Sequence, residues 1–274
     1  MARVKVIGVP YSIGCRAETA AVVDQQNGPT AIRQALRGLH SGYDIPFPGE
    51  DVGDIECNGS VSSLLDSVEA EVTKAVSVGD IPFILGGAHT LTLGSLRALS
   101  KASIDYSLIY FDAHPDVMPR KEIDYGSMIF HAFQEEVLEP ARAAFIGVRQ
   151  IETAEQKVLE ENSIWTVGPL EFERFTPDQI VGQITDRMKP PYFLSFDLDV
   201  LDPSVAPGVS CPYPGGLTYR EILYIVKALC KSEIVGLEVV ELAPINDQNE
   251  RTAKLAGHFI QEIATSIHRR SLRH

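Results

Sequence analysis

Acidic and histidine side chains are concentrated in two short stretches of this sequence. The stretch "YFDAHPD" carries Asp112, His114 and Asp116 within five positions, at the end of a run of apolar residues. The stretch "SFDLDVLDP" carries Asp197 and Asp199, which share one side of an extended chain because strand side chains repeat every two residues. Carboxylates and imidazoles bind divalent metals and carry protons in hydrolytic enzymes. The two stretches therefore predict a metal or acid–base site.

Two further stretches end apolar runs with polar residues. In "ILGGAHT" two glycines precede His89, which by itself fits a glycine turn with an incidental histidine equally well. In "GLEVVELAP" Glu238 and Glu241 close an apolar run before Pro244. We interpret both as further loops of the same site.

The four aspartates of these stretches would repel one another in a common cleft, and each pKa would rise unless positive charge is supplied. The motifs contain no lysine or arginine, but two divalent cations would offset the charge, with His89 and His114 completing the coordination. Oxygen-rich sites with a few imidazoles suit Mn²⁺ best, with Ni²⁺, Fe²⁺, Co²⁺ or Zn²⁺ as alternatives. Asp202, before Pro203, is typical of a turn residue instead.

The elements that must position these residues are short apolar strands alternating with amphipathic helices. Predicted strands cover 4–9, 81–86, 106–111, 143–148, 163–167, 192–197 and 234–240. Predicted helices cover 29–38, 61–78, 92–100, 128–138, 153–162, 177–188, 218–231 and 250–268. Pro29 marks one helix start, and Thr218 with Glu221 marks another. Alternation predicts one α/β domain over 1–274 with a doubly wound, mainly parallel sheet, whose ligands bind beyond the carboxyl ends of the strands.

Composition excludes several classes of protein. The chain has 274 residues, 45% of them hydrophobic, and a net charge of −13, which argues against nucleic acid or an anionic membrane surface as the main partner. No apolar run reaches the ~18 residues of a membrane span, and "MARVKVIGVP" lacks the features of a signal peptide. The ending "SIHRRSLRH" is predicted to fray.

The four cysteines lie far apart without a CxxC spacing, at positions Cys15, Cys57, Cys211 and Cys230. This distribution argues against structural zinc and favours a reducing cytoplasm. Cys211, beside Ser210, is interpreted as a small buried filler, with a reactive thiol as the alternative.

Taken together, "GGAH", "DAHPD", "SFDLDVLDPSVAPG" and "VVELAP" resemble, in this order, the ureohydrolase family of arginase, agmatinase and formimidoylglutamase. The resemblance covers nearly the whole chain and extends to "FIGVR" and "PGGLTYRE". It implies a three-layer α/β/α fold, two manganese ions per chain, hydrolysis of a guanidino or related amidine carbon, and assembly into trimers or hexamers.

The resemblance also implies roles for individual residues. One metal would be bound by His89, Asp112, Asp116 and Asp197, and the other by Asp112, His114, Asp197 and Asp199. Asp116 would accept a hydrogen bond from a metal-bridging hydroxide and pass a proton to the leaving amine. Glu241 would pair with the guanidinium of the substrate, such as arginine, N-hydroxyarginine or agmatine. Attack on the guanidinium carbon would release urea or hydroxyurea and an amine.

Several positions depart from the family pattern. Ala88 stands where the family usually has an acidic residue, which would leave a metal-binding histidine without one supporting carboxylate. Tyr125 stands where many relatives have a proton-shuttling histidine, and His131 is either its substitute or a helix residue with a packing role. The loop between Asp116 and Gly126 is short compared with that of arginases, which predicts a wider cleft than theirs.

The departures keep two alternatives open. "APGVSCP" is more like formimidoylglutamase, and a formiminoglutamate hydrolase would need a cation for the substrate carboxylates, with Arg120, Lys121 or Arg149 as candidates. Ala88 and Tyr125 motivate the second alternative, a non-hydrolytic, metal-binding regulatory or companion subunit.

Overall fold

The computed structural model describes residues 3–39 and 46–272, which form one eight-stranded sheet. Every strand pairing within these residues is parallel, in the order β2-β1-β3-β8-β7-β4-β5-β6. The strands are β1 (Val4–Val9), β2 (Gly49–Asp54), β3 (Ile81–Gly86), β4 (Ser107–Phe111), β5 (Ala143–Ile146), β6 (Trp165–Val167), β7 (Tyr192–Asp197) and β8 (Ile234–Val240). The predicted parallel sheet is confirmed.

Helices cover both faces of the sheet, as predicted for a three-layer α/β/α sandwich. They are α1 (Ala20–Asp24), α2 (Gly28–Leu39), α3 (Val61–Ser77), α4 (Thr92–Lys101), α5 (Met128–Gln134), α6 (Thr153–Glu161), α7 (Pro177–Arg187), α8 (Tyr219–Leu229) and α9 (Arg251–Ser271). The core on one face combines the strands with α2, α7, α8 and α9, and the core on the other face with α3, α4, α5 and α6. Side chains of one strand alternate between them, since Phe83 lies in the first core and Ile84 in the second.

Two elements were missed, and several predicted boundaries were wrong, most of all at the ends of α5 and α9. β2, with the sequence "GEDVGD", is largely exposed at the sheet edge and lacks an apolar pattern, and α1 has no buried residue. α5 ends four residues before the predicted 138, because Glu136 adopts a left-handed conformation with φ 56°. The ending does not fray as far as Ser271, since α9 continues to that residue and Ile267 is buried; residues 273–274 lie outside the described part.

The sheet order brings the chemically interesting loops together. β3, β8, β7 and β4 are consecutive neighbours in the middle of the sheet, and each runs into one of the four polar loops. Because all strands are parallel, these loops meet at one edge. Within the described residues, no helix is both long enough and apolar enough to cross a membrane.

Candidate active site

His89 lies at the centre of the first group of ligands. It follows β3 and is almost fully buried, and its Nδ1 lies 3.0 Å from Asp112 Oδ2, 3.3 Å from Asp197 Oδ2 and 3.5 Å from Asp116 Oδ2. A single ring nitrogen carries at most one proton and cannot satisfy three carboxylates at once. A divalent cation between these oxygens and Nδ1 would satisfy all of them.

His114 forms a second group with Asp112 and Asp199. Its Nδ1 lies 3.0 Å from Asp199 Oδ2 and 3.3 Å from Asp112 Oδ1, while its Nε2 lies 2.9 Å from Gln150 Oε1. The Gln150 oxygen can only accept, so we assign the ring proton to Nε2, which leaves Nδ1 free as a ligand. Asp112 belongs to both groups, one through each carboxylate oxygen.

The environment of the aspartates fits bound cations. Asp112 Oδ2 is buried and receives no hydrogen bond from any described residue. Burial and the neighbouring Asp112 raise the pKa of Asp116, and burial with Asp199 and Asp112 raises the pKa of Asp197. Buried carboxylates that lack positive charge are costly, which is the condition that a divalent ion relieves.

Glu241 follows β8 beside these groups. Its Oε1 accepts the backbone N–H of His89 at 2.7 Å, and its Oε2 accepts the Ser210 hydroxyl at 3.1 Å and the Gln25 side-chain amide. Burial raises the pKa of Glu241 to about 7, against the lowering effect of His89. The carboxylate is therefore fixed in place by three donors, close to the metal-binding groups.

The backbone of this edge is constrained at functional positions. Asp116 and Glu241 adopt left-handed conformations, with φ 50° and 68°. Such conformations are uncommon outside glycine, and they persist where the surrounding structure fixes them. Gly87 is required for another reason, because a Cβ atom there would lie 2.1 Å from the carbonyl oxygen of Tyr11.

A cleft of about 230 Å³ opens from the ligands to the surface. His114, Asp116, Tyr125 and Cys211 are among the residues that line it, whereas two larger cavities, of about 650 and 670 Å³, contain none of the predicted ligands. Burial raises the pKa of Tyr125, so its hydroxyl keeps its proton near neutral pH. Cys211 is exposed and lines the cleft, so the expectation of a buried filler was wrong.

His131 lies on α5, where its Nε2 is 3.2 Å from the carbonyl oxygen of Glu122. It is not among the residues that line the cleft. Its position fits the packing role better than proton transfer to a substrate. Asp202, outside the ligand groups, accepts the backbone N–H groups of Ser204 and Gly215 at 2.9 Å, as expected of a turn residue.

Three residues that sequence reasoning missed support the site. The Tyr110 hydroxyl donates to Asp116 Oδ2 at 2.5 Å, and its ring stacks on His89. Ser195 Oγ lies 2.8 Å from His89 Nε2. Tyr110 and Ser195 each lie two residues before a ligand, so strand periodicity could have identified them. Gln25 is 216 positions from Glu241 and gave no such signal.

Glu238 provides a buried carboxylate that interacts electrostatically with His89. It is fully buried, and Thr92 Oγ1 and Ser95 Oγ donate to it at 2.6 and 3.1 Å. Its electrostatic interactions also include His89 and the Ser195 hydroxyl. A carboxylate that acts on His89 through Ser195 can therefore support this ligand in the absence of an acidic side chain at position 88.

Comparisons with known proteins show the family to which the chain belongs. A model of the arginase family matches residues 2–265. An agmatinase of Neisseria gonorrhoeae is 35% identical over 267 residues, which are 93% of this chain and 83% of that protein, and one of Serratia proteamaculans is 32% identical over 264 residues, covering 92% and 83%.

Solved structures of similar proteins share the fold. An arginase from Bacillus subtilis superposes with a TM-score of 0.84 at 28% identity, over 96% of this chain and 98% of that one. The agmatine ureohydrolase of Thermoplasma volcanium superposes with a TM-score of 0.86 at 27% identity, over 100% and 92%. The chain therefore belongs to the arginase family and is a ureohydrolase that acts on carbon–nitrogen bonds.

Proposed function

We propose that this protein is a manganese-dependent hydrolase of a guanidino compound, with two ions per chain. The observation that carries the proposal is the position of Asp112, whose two carboxylate oxygens face separate groups of ligands around His89 and His114. One carboxylate placed between two groups is suited to bridge two cations. When bound, such a pair would supply a nucleophile from water at neutral pH and polarise the substrate.

The remaining roles belong to residues of this chain. Glu241 is fixed by three donors and is suited to pair with a guanidinium, which stays protonated and presents parallel N–H groups. Asp116, whose pKa is raised by burial, is suited to accept a proton and to return it to the departing amine. Tyr125 retains its hydroxyl proton at the cleft wall and is suited to donate a hydrogen bond to the substrate.

The substrate within this class is open between arginine, N-hydroxyarginine and agmatine, and agmatine is the substrate in the names of several relatives. Of the candidate cations for the carboxylates of formiminoglutamate, Arg149 is not supported by its contacts. Arg149 donates to the backbone carbonyl groups of Asp199 and Tyr213 at 2.8 and 2.6 Å, so much of its donor capacity is already used. The non-hydrolytic alternative predicts metal binding without turnover.

The test replaces Asp112 by Asn and measures both metal content and products. We expect the wild type to bind about two Mn²⁺ per chain and to release urea or hydroxyurea from a guanidino compound, identified by mass spectrometry. Asp112→Asn should lose paired metal binding and at least about a hundredfold in turnover. Asp186→Asn, the same change at an exposed position of α7, is the control.

Two results would decide against the proposal. Near-normal turnover by Asp112→Asn would contradict the role of this carboxylate. Two bound ions without product from arginine, N-hydroxyarginine, agmatine, guanidinobutyrate, guanidine or formiminoglutamate would favour the non-hydrolytic alternative instead.

A further inference from the structure

Two arginines line the cleft that leads to the metal ligands. Arg16, from the segment before α1, and Arg120, from the loop after β4, share this cleft with His114 and Asp116. A substrate whose reacting carbon lies beside His114 and Asp116 must place its other end within the same small cleft. These guanidinium groups will therefore attract or repel the far end of the substrate according to its charge.

The two arginines share one carboxylate. Asp124 Oδ2 lies 3.0 Å from Arg120 Nη1 and 3.6 Å from Arg16 Nε, and Asp124 Oδ1 accepts the backbone N–H of Gly126 at 3.1 Å. Among described residues, Asp124 is the only carboxylate paired with either arginine. Asp124 uses only part of the hydrogen-bonding capacity of the two guanidinium groups, so donors remain free to bind a further acceptor.

Besides Asp116, two acidic residues of the cleft wall lie at a helix N-terminus. Glu152 and Glu155 form a capping box at the start of α6, and Glu155 Oε2 accepts the backbone N–H of Glu152 at 3.0 Å. Burial raises the pKa of Glu155, against the lowering effect of this hydrogen bond. Glu155 therefore offsets the guanidinium charge of the cleft less than a carboxylate with an ordinary pKa would.

We propose that Arg16 and Arg120 form a subsite for a carboxylate at the end of the substrate that is far from the reacting carbon. This inference rests on the proposed function. It assigns the substrate to the guanidino acids, which carry a guanidinium group at one end and a carboxylate at the other. A carboxylate accepts parallel hydrogen bonds from guanidinium groups, whereas the ammonium end of agmatine would meet two like charges. Neither arginine was assigned a role in the ligand groups around His89 and His114.

Binding to the Mn²⁺-loaded protein tests the subsite without depending on turnover. The two probes are 5-guanidinopentanoate and agmatine, which carry four methylene groups and end in a carboxylate or an ammonium. Isothermal calorimetry should show at least about tenfold tighter binding of the guanidino acid. Equal affinity, tighter binding of agmatine, or binding of neither probe would overturn the proposal.

Substitution of Arg16 and Arg120 then tests whether these two residues cause the preference for the guanidino acid over agmatine. Arg120→Gln and, separately, Arg16→Gln should each reduce the ratio of the two affinities severalfold, and the double variant should abolish it. Arg16 is largely exposed, so its substitution remains informative if Arg120→Gln fails to fold. Arg37→Gln, at an exposed position of α2, is the control.

The ratio also separates this inference from the proposed function. A preference for the guanidino acid that survives unchanged in the double variant would show that other residues cause it, and would overturn the subsite. A preference that disappears in the double variant, together with no urea from either compound, would support the subsite and contradict the hydrolase.

Discussion

At the scale of single residues, the Gln25 amide is expected to control how well Glu241 binds a guanidinium. Gln25 is fully buried and donates to both Ser210 and Glu241. Gln25→Ala removes a donor from a buried carboxylate, which frees its orientation and raises its pKa further. We expect KM for a guanidino substrate to rise about tenfold with a smaller change in kcat, because this contact acts on substrate binding.

Steady-state kinetics measures the separate effects on KM and kcat, and Gln26→Ala provides the control. Gln26 is the neighbouring residue and is exposed, so the same chemical change there should leave KM unaltered. An unchanged KM in Gln25→Ala would show that Ser210 and the His89 N–H are sufficient to fix Glu241.

The pKa of Glu241 gives a second prediction at this scale. Burial raises this pKa to about 7, so the protonated, neutral form predominates below pH 7 and the carboxylate above it. A guanidinium keeps its charge throughout this range and pairs only with the carboxylate. Its affinity should therefore fall about tenfold per pH unit below pH 7 and level off above it.

Calorimetric binding of agmatine to the metal-free protein between pH 5.5 and 8 measures this dependence. Glu241→Gln cannot titrate at this position and should bind weakly with a flatter profile. A wild-type affinity that is constant over the whole range would contradict the assignment of Glu241 as the guanidinium partner.

Residues of the site differ in how far the sequence could predict them. His89, Asp112 and Glu241 lie in motifs, and the structure brings them together as expected. Gln25 and Arg16 lie in the segment around α1, which has no buried apolar pattern to place it. Their contacts depend on long-range packing that local spacing does not encode.

At the scale of elements, the turn after β3 depends on a close contact with the segment after β1. Ala88 N donates to Tyr11 O at 3.0 Å, and a Cβ on Gly87 would lie 2.1 Å from the same oxygen. Gly87→Ala must therefore push this turn away and displace His89. We expect a loss of about 1–3 kcal/mol in the free energy of unfolding, together with weaker Mn²⁺ binding.

Gly182 provides a matched control because it lies within α7 and a Cβ there would meet nothing within 4 Å. Gly182→Ala should stabilise the protein by about 0.5–1 kcal/mol, since alanine favours the helix and restricts the unfolded chain. Urea unfolding measures both variants. Equal stability of Gly87→Ala and the wild type would show that the two segments can separate without cost.

Elements with a buried apolar run were predictable, and exposed ones were not. β3 is buried along its whole length and matched the prediction, whereas β2 is held at the edge by β1 and by ion pairs of Arg33 with Asp51 and Asp54. The conformation of such a strand depends on pairing with its neighbour, so its own sequence does not predict a strand.

At the scale of the whole molecule, the sequence predicted the fold class but not which strands are neighbours. β3 pairs with β8, which lies about 150 positions later in the chain, and this pairing brings His89 beside Glu241. Local patterns identify strands and helices separately, whereas their order in the sheet is determined by packing of the complete chain. The common edge of the four loops could be expected only because parallel strands end on the same side.

The charge of this edge links metal binding to the stability of the whole molecule. Without cations, the buried aspartates repel one another, and unfolding relieves that repulsion. A ligand at a hundred times its Kd stabilises the folded state by about 2.7 kcal/mol, and each kcal/mol raises Tm by about 2–4 °C in a protein of this size. Chelation should therefore lower the Tm of the wild type by about 5–10 °C. Asp112→Asn should show little dependence of Tm on Mn²⁺, and a full dependence there would mean that the stabilising ions bind elsewhere.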